Sequence, residues 1–266
     1  MNPEQLMTEL ASIAREAGRA ILNIYDREFD VSFKDDHSPL TEADLASHVV
    51  IRDALLALTP DIPLMSEESA SIPWQERSRW REYWLIDPLD GTKEFVNRNG
   101  EFTVNIALIR NHYPVLGVVH VPVQSVTYAG AAGTSCTRQD SDGKPRAVQV
   151  RVPPAQPPVL VGSRSHANPD LARRLSGIGP HELVSMGSSL KFCLVAEGKA
   201  DLYPRLGPTS EWDTAAAQAV VEAAGGGVVT LQGERLAYNT RESVLNPEFL
   251  VFGDASRDWC SRVAAT

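Results

Sequence analysis

The feature that most restricts the fold of this chain is a run of prolines just past its middle. Four of the six residues in the segment 153–158, Pro-Pro-Ala-Gln-Pro-Pro, are proline. Proline fixes the backbone φ angle and has no amide hydrogen, so this segment can continue neither a helix nor the interior of a sheet. We therefore predict a boundary here, with one half at residues 1–152 and a second half at residues 153–266.

The N-terminal half shows the pattern of helices followed by antiparallel strands. Apolar residues recur at three-and-four spacing from Leu6 to Ile24, which predicts an amphipathic helix of about six turns. A second helix is predicted after Thr41, which forms a capping box with Asp44. Strands are predicted at 62–65, 83–86, 102–109, 115–121, 126–129 and 148–152, with a hairpin joining 102–109 to 115–121. This half is predicted to be α+β.

The C-terminal half alternates between strand and helix patterns. The predicted order is strand 159–162, helix 169–175, a strand near Leu183, helix 189–197, strand 201–206 and helix 213–224. Such alternation favours a parallel or mixed sheet that is covered by helices. The whole chain is therefore predicted to belong to the α/β class, with an N-terminal α+β half and a C-terminal α/β half.

Charge, cysteine content and hydropathy exclude several classes of protein. The chain carries 34 acidic and 25 basic residues, a net charge of −9, which argues against a nucleic-acid partner and suits divalent cations. Three scattered cysteines predict no disulfide framework, and the first residues lack the basic region of a signal peptide, so a cytoplasmic location is expected. The uncharged run 111–137 is interrupted by proline and glycine, so no integral membrane segment is expected.

The most informative segment is 84–92, Trp-Leu-Ile-Asp-Pro-Leu-Asp-Gly-Thr. It reads as an apolar strand that ends in two carboxylates, Asp87 and Asp90. Hard cations such as Mg²⁺ prefer oxygen ligands, and the Leu89 carbonyl is a further candidate. Pro88 predicts a turn that keeps both carboxylates on one side. Taken alone, the same residues also fit an ordinary Asp-Pro turn.

Other residues could complete such a site, although each also has a simpler interpretation. Gly91 would allow close approach of a phosphate, and its amide and that of Thr92 would bind the phosphate if a helix begins there. Glu67 and Glu68 follow a strand but also fit a solvated acidic pair, and Asp213 also fits a helix N-cap. Sequence spacing alone does not bring these positions together.

Four motifs in order along the chain resemble the inositol monophosphatase family: Thr41-Glu42-Ala43-Asp44, Glu67-Glu68, Asp87-Pro88-Leu89-Asp90-Gly91-Thr92 and Trp212-Asp213. The resemblance covers nearly the whole chain and implies a layered sandwich, the sugar-phosphatase fold. It implies two or three Mg²⁺ ions, with metal ligands at Glu67, Asp87, the Leu89 carbonyl, Asp90 and Asp213. It also implies catalytic roles for Asp44, Glu67 and Thr92, which would hold and activate the attacking water.

Two further segments, Gly187-Ser188-Ser189-Leu190-Lys191-Phe192-Cys193 and Tyr203-Pro204-Arg205, resemble the 3'(2'),5'-bisphosphate nucleotidases of the CysQ type within that family. This implies removal of the 3'-phosphate of adenosine 3',5'-bisphosphate, or of its sulfated relative, in sulfate assimilation, and sensitivity to lithium. A second phosphate needs cationic donors. The implied substrate contacts are Gly91, Thr92, Ser188, Lys191, Arg205, Asp213 and, more weakly, His166.

Two alternatives stay open at this stage. The substrate of the same chemistry could be an inositol phosphate or a sugar bisphosphate, against which Lys93, Lys191 and Arg205 argue. The chain could instead be a noncatalytic regulator that binds metal or nucleotide. The resemblance also leaves open whether the protein is a monomer or a homodimer, and whether it associates peripherally with the cytoplasmic face of the inner membrane.

Overall fold

The computed structural model describes residues 2–27, 31–33, 39–69, 71–141, 143–164 and 171–263. His166 lies outside these residues. The helices are α1 (Pro3–Tyr25), α2 (Glu42–Leu58), α3 (Trp74–Arg77), α4 (Thr92–Val96), α5 (Leu171–Arg174), α6 (Leu190–Ala196) and α7 (Ala215–Ala223). None of the helices in the described part of the chain combines the length and the apolar content that a membrane crossing requires.

The N-terminal half forms a mostly antiparallel sheet, as predicted. The strands are β3 (Leu64–Ser66), β4 (Glu82–Asp90), β5 (Thr103–Arg110), β6 (Tyr113–Val121), β7 (Val126–Ala131), β8 (Thr137–Asp140) and β9 (Arg146–Ala147). Their order in the sheet is β3-β4-β5-β6-β7-β8-β9, and β3 pairs with β4 in parallel while the other pairs are antiparallel. A separate antiparallel pair is formed by β1 (Val31–Phe33) and β2 (Pro39–Thr41).

The C-terminal half forms a mixed sheet, which confirms the prediction from its alternating pattern. The order is β11-β10-β12-β14-β13, in which β10 pairs in parallel with β11 and β12 and the remaining pairs are antiparallel. The strands are β10 (Val159–Ser163), β11 (Glu182–Met186), β12 (Leu202–Arg205), β13 (Gly227–Thr230) and β14 (Phe249–Phe252).

Helices and sheets alternate in layers, and the two halves share a core. On one face of the first sheet, α1 and α2 bury residues such as Leu10 and Ile51 against Trp84 and Val118. On its other face, α7 packs on β5, β6 and β7, while α6 packs on α7 and on β10, β12 and β14 of the second sheet. The predicted layered α/β sandwich is thus observed. The division at residues 152 and 153 stays a prediction.

The long helices begin where the sequence provides caps. The side chain of Asn2 accepts a hydrogen bond from the amide of Gln5 at 2.8 Å, and Pro3 occupies the first turn of α1. At α2, the Asp44 carboxylate accepts the Thr41 amide at 2.8 Å, which is the predicted capping box. These bonds satisfy amides that the helix itself cannot pair. Unlike an ordinary capping residue, Asp44 is completely buried.

The structure corrects one turn prediction and one strand prediction. The turn predicted at Pro88 is wrong, because β4 continues through it to Asp90. The strand predicted at 148–152 is also wrong, since the amides of Val148 and Val150 donate to the carbonyls of Cys136 and Ala224 rather than to a neighbouring strand. Residues 148–158 instead connect the two sheets.

A β-bulge in β4 does what the predicted turn was expected to do. Asp87 lies opposite Asn105 and Asp90 lies opposite Thr103, so three steps along β4 match two along β5. Side chains three residues apart in a regular strand point to opposite faces, and one inserted residue returns them to the same face. The bulge thereby directs Asp87 and Asp90 into one pocket.

Glycine allows the first sheet to approach α7 closely. A Cβ atom at Gly117 in β6 would lie 2.1 Å from the Ala216 carbonyl oxygen, and one at Gly130 in β7 would lie 2.7 Å from the Ala223 Cβ. Backbone contact at this distance leaves no room for a methyl group. The sheet of one half and a helix of the other are therefore packed as tightly as elements of one core.

We expect Gly117→Ala to lower the free energy of unfolding by about 2–3 kcal/mol, because α7 must move away from the sheet. Chemical denaturation would measure the loss. Gly207→Ala is the matched control, since a Cβ there meets no atom within 4 Å, and it should change stability by at most about 0.5 kcal/mol. Equal effects of the two substitutions would contradict the tight contact.

Candidate active site

A pocket of about 240 Å³ lies where the two halves meet and brings together most of the residues singled out in the sequence. It is lined by the predicted residues Glu67, Asp87, Leu89, Asp90, Gly91, Thr92, Ser188, Lys191, Arg205 and Asp213. Asp44 lies behind Thr92 and contacts it. The predicted contact residue His166 lies outside the described residues. The acidic side chains that are far apart in sequence thus converge in space.

The fold explains why these acidic residues meet. Parallel pairing of Ser66 with Ile86 brings the ends of β3 and β4 side by side, so Glu67 follows one strand next to Asp87 in the other. The bulge adds Asp90, and the turn before α7 adds Asp213 from the second half. The carboxyl ends of parallel strands are a common location for ligand sites.

Burial and mutual repulsion both disfavour the ionised carboxylates of this pocket. Asp87 is only 1% exposed, and burial raises its pKa well above the usual range, with further raising by Glu67, Asp90 and Asp213. Burial also raises the pKa of Asp213, and the Asp90 charge adds to the effect. Like charges in a low-dielectric site disfavour ionisation unless a cation compensates them. The arrangement therefore fits a site for divalent cations.

Protein donors occupy one oxygen of two of these carboxylates. Asp90 Oδ2 accepts the Ser189 amide at 2.6 Å and the Ser189 hydroxyl at 2.8 Å. Asp213 Oδ2 accepts the Thr209 hydroxyl at 2.6 Å and the Ser210 amide at 2.9 Å. In each case the bonds made by described residues end on Oδ2, so Oδ1 is the oxygen left for another ligand.

The donor set has the chemistry that Mg²⁺ prefers, namely carboxylate and carbonyl oxygens. Within the part of the chain that the structure describes, no group of three or more acidic, histidine or cysteine side chains is placed so that it could hold a metal ion as it stands. The carboxylates line the same pocket, and the pKa values of Asp87 and Asp213 are raised first by burial and then by neighbouring carboxylates, both of which a bound cation would offset. The chemistry of these residues thus fits Mg²⁺, although their side chains do not yet surround a common coordination centre.

A threonine and an aspartate form a second polar unit at the pocket wall. Thr92 Oγ1 lies 3.3 Å from Asp44 Oδ1 and 3.5 Å from the Leu89 carbonyl. Burial raises the pKa of Asp44 to about 6, although the Thr41 hydroxyl and amide oppose the shift. When the Thr92 hydroxyl donates to Asp44, its lone pairs are left to accept a hydrogen bond from the pocket.

The segment after the acidic strand has the predicted form. Gly91 adopts φ +94°, the left-handed region in which glycine is favoured, and α4 begins at Thr92. A Cβ at Gly91 would lie 3.3 Å from the Ser188 Cβ. Glycine therefore lets the end of β4 approach Ser188, which comes from the other half of the chain.

The same pocket also contains positive charge. Lys191 is 5% exposed, and its ammonium donates to the Ser188 carbonyl at 2.6 Å and lies 5.6 Å from the centre of the Tyr203 ring. Burial lowers the pKa of Lys191 to about 8. Arg205 is half-buried and donates to the carbonyls of Gly207 and Pro208. Neither residue is therefore an ordinary solvated surface cation.

Sequence reasoning missed the residues that hold these groups in place. Ser189 stands inside a motif that the sequence singled out, yet its contacts with Asp90 could not be read from the motif. Asn105 and Thr209 carry no sequence signal, because strand register and the turn before α7 place them.

An ion pair that clamps the two halves together, Glu101 with Arg164, was also missed. The two carboxylate oxygens of Glu101 accept Nε and one terminal nitrogen of Arg164, each at 2.8 Å. Glu101 also accepts the Gly187 amide at 2.7 Å, and Arg164 donates to the Ser185 carbonyl at 3.0 Å. Glu101 precedes β5 of the first sheet, whereas Arg164 and Gly187 follow β10 and β11 of the second. The clamp thus fixes the loop that carries Ser188 against the first half.

Comparison with known proteins agrees with this geometry. Residues 2–256 match the model of the inositol monophosphatase family. The chain is 52% identical over 248 residues to the 3'(2'),5'-bisphosphate nucleotidase CysQ of Escherichia coli strain K12, covering 92% of this chain and 99% of that protein. It is 38% identical over 259 residues to the protein of the same name from Haemophilus influenzae, covering 97% and 96%.

Solved structures show the same fold. The crystal structure of CysQ from Bacteroides thetaiotaomicron, described as a bacterial member of the inositol monophosphatase family, superimposes with a TM-score of 0.80 at 40% identity, covering 92% of this chain and 97% of that one. An inositol monophosphatase from Anabaena, at 23% identity and a TM-score of 0.76, covers 98% and 95% and shares the fold. The chain therefore belongs to the inositol monophosphatase family, whose enzymes are metal-dependent.

Proposed function

We propose that this protein is a Mg²⁺-dependent 3'(2'),5'-bisphosphate nucleotidase that converts adenosine 3',5'-bisphosphate to AMP and phosphate, with its sulfated relative as a second substrate. The observation that carries the proposal is the pairing, in one pocket, of a carboxylate cluster with the cations Lys191 and Arg205. The names of the relatives that are 52% and 38% identical support the same substrate class.

Two or three Mg²⁺ ions would be held by Glu67, Asp87, the Leu89 carbonyl, Asp90 and Asp213. When bound, such cations lower the pKa of water and screen the negative charge of the phosphate. The chain supplies most of these ligands from the ends of β3 and β4, and strand pairing fixes the backbone there. Bound cations would draw the side chains together, and oriented charges of this kind stabilise the transition state.

The attacking water would be oriented by Thr92, Asp44 and Glu67. The Thr92 hydroxyl donates to Asp44 Oδ1 and can accept a hydrogen bond from water through a lone pair. A proton taken up at Thr92 Oγ1 can be matched by transfer of the hydroxyl proton to Asp44. With a pKa of about 6, Asp44 is mostly ionised at pH 7 and so is able to accept it. Glu67 lines the same pocket and adds a carboxylate acceptor.

The remote phosphate of the substrate would be bound by Lys191, Arg205 and Ser188. Both cations now donate to backbone carbonyls, and hydrogen bonds between a cation and a phosphate are stronger than these. With a pKa of about 8, Lys191 keeps its charge at pH 7. Gly91 and Thr92 stand at the pocket wall near the carboxylates, where the reacting phosphate would lie.

Two other functions make different predictions. An inositol monophosphate would leave the charges of Lys191 and Arg205 without a phosphate partner. A sugar bisphosphate would supply a second phosphate but no nucleoside, and a noncatalytic regulator would release no phosphate. We keep the cytoplasmic location and the monomer or homodimer state as predictions.

The first test compares substrates. We expect phosphate release from adenosine 3',5'-bisphosphate to exceed that from inositol 1-phosphate and fructose 1,6-bisphosphate at equal Mg²⁺, and to stop when a chelator removes the metal. Release from all three should be measured in one colorimetric assay. A preference for either of the other substrates would overturn the nucleotide assignment, and no release from any of them would favour a regulator.

The second test removes the cations. Lys191→Met and Arg205→Met should each raise the KM for the nucleotide at least about tenfold, because hydrogen bonds to charged groups contribute about 1.5–3 kcal/mol. The KM for inositol 1-phosphate should change far less. Arg52→Met, which removes an exposed cation paired with the adjacent Asp53, is the control. Parallel losses on both substrates would refute a role in binding a second phosphate.

The third test removes one metal-binding charge. Asp90→Asn should lower kcat by two or more orders of magnitude, because a ligand charge is lost. The carbonyl oxygen of the new amide can still accept the bonds from Ser189, so stability should stay within about 1 kcal/mol of the original. Asp258→Asn, at an exposed aspartate that accepts the Ser261 amide, is the control. An active Asp90→Asn protein would remove this residue from the metal site.

A further inference from the structure

We propose that Ser189 is a positioning residue that joins the Asp90 carboxylate of the first half to the backbone of Asp213 in the second and sets the affinity for Mg²⁺. The inference rests on the proposed function, in that Asp90 and Asp213 are taken to hold the metal. It adds a residue that itself faces neither water nor substrate, since Ser189 is buried and does not line the pocket.

Ser189 contacts both carboxylate-bearing residues. Its amide donates to Asp90 Oδ2 at 2.6 Å, and its hydroxyl oxygen lies 2.8 Å from the same Oδ2 and 2.7 Å from the backbone carbonyl of Asp213. Asp90 ends β4 in the first half, whereas Asp213 precedes α7 in the second. One small side chain at the start of α6 therefore links the ligand positions of both halves.

The two acceptors share the single hydrogen of the Ser189 hydroxyl. A serine hydroxyl has one hydrogen, so it serves Asp90 and the Asp213 carbonyl as a three-centre donor or in alternation. The amide of Ser189 has no such choice and stays on Asp90. Together the two donors hold Oδ2 within the protein, which leaves Oδ1 of Asp90 as the oxygen for the metal.

Asn105 completes the arrangement. Its side-chain amide donates to the Ser189 hydroxyl oxygen at 2.9 Å and lies 3.4 Å from Asp90 Oδ2. The carbonyl oxygen of the same side chain is buried and has no hydrogen-bond partner among the residues that the structure describes. An unsatisfied buried acceptor costs about 1–3 kcal/mol. Asn105 thus keeps this unfavourable orientation while its amide nitrogen points at Ser189 and Asp90. We infer that the amide nitrogen has a role in the site.

Loss of the Ser189 hydroxyl would lower the affinity for Mg²⁺ more than it lowers the affinity for the nucleotide. Asp90 would lose a donor and could rotate, and the link to Asp213 would be broken. The contacts of Lys191 with the Ser188 carbonyl and of Arg205 with the Gly207 carbonyl do not involve this hydroxyl. Groups that orient metal ligands typically change metal affinity or activity about 10–100-fold when they are removed.

The test measures Mg²⁺ binding directly, by calorimetry without substrate, and in parallel by the Mg²⁺ dependence of phosphate release. We expect Ser189→Ala to weaken Mg²⁺ binding about 10–100-fold and to change the nucleotide KM at saturating Mg²⁺ less than about threefold, because the cations that bind the second phosphate are untouched. Ser189→Thr, which keeps the amide and the hydroxyl, should restore most of the affinity.

The control is Ser256→Ala. Ser256 donates its amide and its hydroxyl to Asp254 at 2.9 Å and 2.7 Å, the same pair of bonds outside the pocket, and its loss should leave Mg²⁺ binding unchanged. Asn105→Ala gives an independent route to the same result if Ser189→Ala fails to fold. It should weaken Mg²⁺ binding severalfold, because the Ser189 hydroxyl loses its donor.

The outcomes separate this proposal from the proposed function. Unchanged Mg²⁺ binding in Ser189→Ala, or in Asn105→Ala where that variant replaces it, would overturn the positioning role, as would a raised nucleotide KM with normal Mg²⁺ binding. If the unaltered protein binds Mg²⁺ and Ser189→Ala weakens it, but neither releases phosphate from the nucleotide, the positioning role stands and the nucleotidase assignment falls. If the unaltered protein binds no Mg²⁺, both fall.

Discussion

The cost of placing several carboxylates together in one pocket, through burial and mutual repulsion, is the constraint on which the rest of the structure depends. Asp87 is almost inaccessible to solvent and faces the charges of Glu67, Asp90 and Asp213. A fold would not gain stability by gathering such groups unless cations bind there. The surrounding hydroxyls and amides stabilise the cluster only in part, because they satisfy Oδ2 of Asp90 and of Asp213 and leave the second oxygens for a ligand.

The cluster is also an interface between the two halves of the chain. The first half supplies Glu67, Asp87 and Asp90, whereas the second supplies Asp213 and the Ser189 donors. Their relative positions depend on how closely α7 packs on the first sheet, and Gly117 sets that distance. The close packing of α7 on the first sheet therefore has two effects. It stabilises the shared core, and it sets the distance between the carboxylates of the two halves.

The cationic part of the pocket has a different physical origin. Lys191 is held by the helix that follows Ser189, and its ammonium is stabilised by the Ser188 carbonyl and lies near the Tyr203 ring. A buried ammonium pays a desolvation cost that lowers its pKa, as observed here. Such a residue is poorly explained as a surface charge. It agrees instead with a ligand that brings a second negative group into the pocket.

The sequence by itself determined the elements and the chemistry. Periodicity and capping residues located α1 and α2, strand and helix alternation predicted the mixed second sheet, and the motifs around Asp87 and Asp213 identified acidic residues suited to metal. Local patterns carry this information because capping, amphipathicity and turn preference act between residues close in sequence.

Only the tertiary structure decided how these parts meet. The bulge that turns Asp87 and Asp90 to one face depends on pairing with β5, and the roles of Asn105 and Ser189 depend on contacts between distant segments. The failed strand prediction at 148–152 has the same origin, since those amides bond to carbonyls that the local sequence does not contain. Side-chain direction, register and shared hydrogen bonds arise from long-range packing, which no local pattern encodes.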